Sequence, residues 1–192
     1  MTRAGHEINL ARHGFARKQE WKLEEQGDSM VALSLSSADH AELLEQYPYP
    51  FKIVARYTID VAKVAVSYEV TNEGTEDMPF FVGGHPGFKC PLDEGESYDD
   101  YELRFEQREA AELCTAVPST GLIDVEHRSK NPMVGHDLSL THELFDFAET
   151  IFDVLESRVV TLTKKTEDKG MRLTFPDMPY LIVWSKPEGD FV

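Results

Sequence analysis

Ala62-Lys63-Val64-Ala65-Val66-Ser67-Tyr68-Glu69-Val70-Thr71 decides the fold class. Ala62, Val64, Val66, Tyr68 and Val70 fall on every second position, with Lys63, Ser67, Glu69 and Thr71 on the alternate side. A period of two matches an extended chain whose successive side chains point to opposite faces, so the stretch predicts a half-buried β-strand. Asn72-Glu73-Gly74 ends it with turn-forming residues. The apolar, aromatic run 78–82 predicts the next strand. Working outward, similar signals predict strands at 21–25, 30–35, 51–59, 101–105, 158–163, 171–175 and 180–184. Many short strands with turn punctuation point to an all-β sandwich. Two stretches carry helix signals, 38–46, which Ser36 or Ser37 can cap, and 140–155, which aromatic residues interrupt.

The 192 residues suffice for one domain with a sizeable core, and no repeat, Gly/Ser linker or low-complexity segment marks a boundary. A single domain over 1–192 is therefore expected. The net charge of −16 repels phosphate backbones and anionic lipid, which argues against nucleic acid and membrane partners and leaves a neutral small molecule open. Cys90 and Cys114 form neither a disulfide framework nor a CxxC pair and read as packing thiols. The first ten residues, with Arg3, His6 and Glu7, hold no apolar run of signal-peptide or membrane-span length, so a cytoplasmic protein is expected. The acidic run Asp93-Glu94-Gly95-Glu96-Ser97-Tyr98-Asp99-Asp100 lacks EF-hand spacing and reads as a solvated loop.

The seven histidines show neither HxxxH spacing nor a cysteine at ligand separation, so no metal site is expected. No GxSxG elbow, GxGxxG turn or P-loop is present. Two histidines sit in unusual company: His13 in Arg12-His13-Gly14-Phe15-Ala16-Arg17, and His85 in Gly83-Gly84-His85-Pro86-Gly87-Phe88. Each is either a loop histidine or a proton carrier, because imidazole exchanges protons near neutral pH. Trp21 and Trp184 are either core residues or platforms for a sugar face.

His13-Gly14-Phe15-Ala16-Arg17 with Trp21, Tyr49-Pro50-Phe51, Asn72, the Gly83 to Phe88 motif and Cys90-Pro91-Leu92 resemble, in order and spacing, the LacX-like branch of the aldose 1-epimerase family. The later stretches 140–145, 157–162 and 175–185 are similar to the same branch. The resemblance implies an antiparallel β supersandwich of the galactose mutarotase-like type, here incomplete. It also implies an isomerase that interconverts the α and β anomers of a free aldose without a cofactor. A base takes the anomeric hydroxyl proton, an acid protonates the ring oxygen, the C1 to O5 bond opens, and the ring closes on its other face.

By motif position the resemblance makes His85 the general acid and His13 the residue that binds the ring oxygen as charge develops. Arg17, Phe81 and Gly84 fall in the sugar-contacting set. For Arg17 a surface ion pair is the alternative. The family's base is a glutamate in a Glu-Pro-Trp-like segment that would follow Val192, so the general base is expected to be absent from this chain, and Glu188 matches the loop before it. Several strands that relatives place ahead of His13 are also missing. Uncovered sheet edges then invite homo-oligomers. An acidic residue after Leu144-Phe145 aligns with either Asp146 or Glu149. Impaired mutarotase activity is expected. The competing expectations are a non-catalytic carbohydrate-binding or regulatory remnant, and a hexose-6-phosphate 1-epimerase using Arg12 and Arg17.

Overall fold

The computed structural model describes residues 2–3, 5–117, 119–146, 149–167 and 169–192, with the backbone alone at 2 and 3. Phe147 and Ala148, in the stretch expected to hold the acidic residue, lie outside the described residues, as do Met1 and the side chain of Arg3. The chain divides into two compact units, Met1–Val82 and Gly83–Val192.

The first unit contains β1 (Thr2–Arg3), β2 (His6–Glu7), β3 (Lys22–Gly27), β4 (Met30–Ser36), β5 (Phe51–Asp60) and β6 (Lys63–Asn72). β1 and β2 form an antiparallel pair, and the other four form an antiparallel sheet in the order β3-β4-β5-β6. Residues paired across antiparallel strands share a face. The pairs Leu35↔Ile53↔Val70, Leu33↔Ala55↔Tyr68, Val31↔Tyr57↔Val66 and Ile59↔Val64 therefore make one side apolar. The opposite side carries Lys22, Glu24, Lys52 and Arg56, where Lys52 pairs with Glu24 (2.8 Å) and Arg56 with Glu25 (2.8 Å).

One end of the apolar side is a core. Leu35, Leu43, Tyr47, Tyr49 and Phe51 are buried there, with Ile8, Phe15, Trp21, Ile53 and Met78 packed against them. The other end is bare: Tyr57 is 37% exposed, Val66 44%, Ile59 59% and Val64 64%. The strand read from residues 62–70 is present as β6, but its apolar face is not half-buried, and only Tyr68 and Val70 are partly covered. Periodicity fixes which side a residue occupies. Cover depends on other chain, and in this unit residues 8, 15–21, 43–49 and 78 lie over the far end.

Two further expectations for this unit need correction. Residues 78–82 form no strand. Pro79 supplies no amide hydrogen for a ladder, and its carbonyl instead accepts the Tyr47 hydroxyl at 2.7 Å. Residues 38–46 hold only a short 3-10 turn, Ala41–Glu45, although the Ser36 hydroxyl does accept the Ala38 amide at 3.1 Å.

The second unit contains β7 (Tyr101–Phe105), β8 (Leu113–Val117), β9 (Leu122–Ser129), β10 (Asp137–Ser139), β11 (Thr150–Phe152), β12 (Val159–Lys164), β13 (Gly170–Thr174) and β14 (Leu181–Val183). They form two four-stranded antiparallel sheets, β10-β7-β12-β13 and β14-β11-β8-β9. Both sheets feed one core: Tyr101, Leu103, Phe105, Leu138, Val160 and Leu162 from the first, Leu113, Phe152 and Val183 from the second. Phe105 and Phe152 meet with ring centroids 5.0 Å apart.

The expected helix 140–155 is replaced by a 3-10 turn, His142–Phe145, followed by β11. Its backbone groups are taken by the sheets: the Leu140 amide donates to Tyr101 O at 3.0 Å, and Ile151 pairs with both Cys114 and Ile182. Glu109, 4% exposed, accepts the amides of Glu156 (3.0 Å) and Ser157 (2.8 Å) and ties the 106–112 loop to the start of β12. Arg128 forks onto Asp153 at 2.9 and 2.7 Å, which brings that carboxyl down to about 2. The acidic loop 93–100 is mostly exposed but not free: Asp93 pairs with Lys169 at 2.7 Å, Glu96 with Lys164, and Asp100 closes a capping box with Ser97.

Candidate functional site

His13 and Gly14 occupy the left-handed backbone region, at φ 67° and 65°. Glycine enters it freely, whereas a side chain there costs about 1 to 3 kcal/mol and persists only when its surroundings enforce it. The surroundings do so here. Gly14 N donates to Ala11 O (2.9 Å), and Phe15 packs on Phe51 (5.4 Å) and Tyr47 (6.0 Å). Trp21 Nε1 donates to Ala16 O at 2.9 Å. The following 3-10 turn, Ala16–Lys18, carries Arg17. His13 and Arg17 thus stand exposed on a turn anchored from below by two aromatic residues. Trp21 is one of these anchors, which resolves its two readings in favour of packing.

Phe81, 91% exposed, closes the first unit. Gly84 and His85 open the second, in an exposed extended segment. That segment is fixed just downstream: Phe88 N donates to Val192 O (2.8 Å), Val192 N to Phe88 O (2.9 Å), and Cys90 N to Asp190 O (3.1 Å). With the Lys89↔Phe191 bridge, residues 190–192 form a short antiparallel clamp on 88–90. The clamp rests on Cys90, fully buried, whose thiol burial pushes up to about 12, so this cysteine is inert. No spacing in the sequence announces this pairing, because it links residues a hundred positions apart through main-chain atoms. Trp184 is 41% exposed and meets Phe191 edge-on at 5.8 Å, so it is not a core residue.

Within the first unit His13 and Arg17 stand on one turn, and within the second Gly84 and His85 lie just ahead of the clamped segment. Asp146 is exposed and Glu149 partly covered. Among the described residues no group of three or more His, Cys, Asp or Glu converges as a metal site. Among them, too, no helix is long and apolar enough to cross a membrane.

Similarity to known proteins runs through both units. The aldose 1-epimerase family model matches residues 4–189. The plasmid and chromosomal forms of protein LacX from Lactococcus lactis subsp. lactis are each 40% identical over 177 residues, covering 92% of this chain and 58% of the relative. A galactose mutarotase-like protein from Lactobacillus casei ATCC 334 superposes with a TM-score of 0.82 at 29% identity, covering 96% of this chain and 63% of that one. A galactose mutarotase related enzyme from Lactobacillus acidophilus gives 0.83 at 25% identity, covering 98% and 62%. The chain therefore spans about three fifths of the length of these relatives. The antiparallel sheets, the order of the His13 and His85 motifs, and a match from end to end lead to one conclusion: this chain belongs to the aldose 1-epimerase family.

Proposed function

We propose that the chain carries the acid-bearing part of an aldose 1-epimerase site and works on a free aldose. His85 protonates the ring oxygen as C1 to O5 opens. His13 holds that oxygen while charge develops on it, and Arg17, Phe81 and Gly84 contact the sugar. The chemistry uses proton transfer alone and calls for no cofactor. The two units act as parts of one domain of the family fold, in keeping with the single family match across both.

The observation that supports this most is the clamp of 190–192 on 88–90. The clamp holds the backbone three residues from His85, so the imidazole is carried by an anchored segment. Ring opening also needs a base to pull the anomeric proton while His85 delivers one. No residue of this chain is assigned that base, and one positioned acid or base contributes about a hundredfold to ten-thousandfold. The polypeptide by itself is therefore expected to bind sugar and to turn it over poorly. The bare apolar side of β5 and β6 is the surface through which we expect copies to associate, in the cytoplasm.

Polarimetry tests this. Fresh α-galactose and α-glucose should mutarotate at nearly the buffer rate with the chain present, while either sugar shifts the His85 imidazole resonances. Fast relaxation that His85→Ala abolishes overturns the impairment, and absence of any sugar-dependent shift overturns the site. Tighter binding of glucose 6-phosphate than of glucose, lost in Arg17→Ala, would favour the sugar-phosphate reading instead.

A further inference from the structure

Basic side chains are scarce in this chain, 19 Lys and Arg against 35 Asp and Glu, and most of those in the second unit are held by oxygen. Arg104 is paired with Glu102 and Asp137, Arg128 with Asp153, Lys164 with Glu96 and Lys169 with Asp93. Arg158 donates to the carbonyls of Leu155 and Ser157. Among the described residues Arg108, Lys130, Arg172 and Lys186 make no side-chain hydrogen bond or ion pair, and of these four Arg108 and Lys130 line one cavity of about 260 Å³.

The cavity is a surface groove whose two loops are tied together. Its walls are the loop before β8 and the loop after β9, which meet where Leu113 pairs with Ser129 at the open end of that hairpin. Asn131 staples the loops together: its Nδ2 donates to Glu109 O (2.9 Å) and Ala111 O (3.1 Å), and its Oδ1 accepts the Met133 amide (3.0 Å). The buried Glu109 carboxylate faces the amides of Glu156 and Ser157, so its charge is already engaged. Glu112 is the remaining acidic residue on the wall. The volume lies below the range of about 300 to 1,000 Å³ typical of drug-sized ligands, and so fits a smaller one.

We propose that Arg108 and Lys130 form a binding site for the phosphate group of a small molecule, separate from the His85 segment. The planar fork of arginine matches two phosphate oxygens, and the ammonium of lysine supplies a point charge to a third. Neither cation has to leave a protein partner first, and the stapled loops hold their backbones in place. Glu112 opposes the ligand and keeps the affinity modest. No residue between Gly83 and Leu92 lines the cavity, so the site stands or falls apart from the sugar reading.

The test is a titration of 15N-labelled protein with inorganic phosphate at constant ionic strength, chloride replacing phosphate. Saturable shifts are expected at the Lys130, Asn131 and Gly135 amides in the millimolar range. Arg108→Gln and Lys130→Gln should each weaken binding about tenfold, and Glu112→Gln should tighten it. Arg172→Gln, an exposed cation outside the cavity, should change nothing. All four side chains are on the surface, and far-UV circular dichroism verifies the fold. Glucose 6-phosphate in place of phosphate separates the sources: equal affinity identifies free phosphate, tighter binding a phosphorylated sugar. Linear shifts without saturation, binding unchanged in Arg108→Gln and Lys130→Gln, or acetate binding as tightly as phosphate overturns the proposal. Galactose-dependent shifts at His85, followed in the same samples, report on the sugar site independently.

Discussion

The two units solve the burial of β-structure in different ways. In the second, two four-stranded sheets feed a single core, so the apolar sides of β7, β12 and β11 all find cover. In the first, a single four-stranded sheet has cover over one end only, and the apolar side continues past it into solvent through Tyr57, Ile59, Val64 and Val66. Alternation is clean in β6 of the first unit and in β7 of the second alike. A pattern of period two therefore describes a side of a sheet, and whether that side is a core depends on what else the chain places above it. The cover in the first unit also does local work, because Phe15 and Trp21 hold up the His13 turn while they close the core.

Each unit has its own tryptophan, Trp21 in the first and Trp184 in the second, so Trp184→Phe and Trp21→Phe backgrounds report on them separately. The largest effect is expected from Phe152→Ala, a side chain 1% exposed in the second core. Denaturant unfolding followed through Trp184 should show a loss of about 3 to 5 kcal/mol, with the Trp21 signal less affected. Equal loss in both signals would erase the contrast between the units.

Glu109→Ala comes next. It strands two backbone amides that a buried carboxylate now satisfies, and should cost about 2 to 3 kcal/mol in the same assay, whereas Glu109→Gln should recover part of it.

The Arg128 and Asp153 pair, each about a quarter exposed, gives a smaller and pH-dependent term. The guanidinium lowers the carboxyl to about 2, below its unfolded value, so the stabilisation is complete above the ordinary aspartate range. It is lost as pH falls toward 2. The wild type should lose at most about 2 kcal/mol over that interval from this pair, and Arg128→Ala should flatten the dependence. An unchanged acid profile in Arg128→Ala would remove the pair from the account.

The smallest effect belongs to the bare end of the first sheet. Val64→Thr, at a position 64% exposed, should alter stability by less than about 0.5 kcal/mol. It should also reduce binding of an apolar dye. These values hold for the monomer at low concentration: a loss of several kcal/mol there would mean that the face is covered within one chain, whereas a loss that grows with protein concentration is what association of copies through the face requires.

Much of the strand order could be read from residue pattern. The predicted strands at 21–25, 30–35, 51–59, 101–105, 158–163, 171–175 and 180–184 correspond to β3, β4, β5, β7, β12, β13 and β14 within a residue or two. Those missed, β1, β2 and β8 to β11, are short or polar. β10 and β11 have three residues each, too few for a period, and β9 carries Asp124, Glu126, His127 and Arg128. The helix expected over 140–155, already interrupted by aromatic residues, does not form because Leu140 and Ile151 pair with strands remote in sequence. At the candidate site, glycine beside His13 and His85 marked both motifs. The left-handed backbone at His13 and the clamp of 190–192 on 88–90 left no mark.

By itself the sequence determined the class of the fold, the sides of its main strands and the family, because side-chain alternation and motif spacing are local properties of the chain. Only the tertiary structure decided which of those sides are buried, which strand lies beside which, and which cations stay unpaired. These depend on groups far apart in sequence competing for the same partners, and neighbouring residues carry no record of who wins.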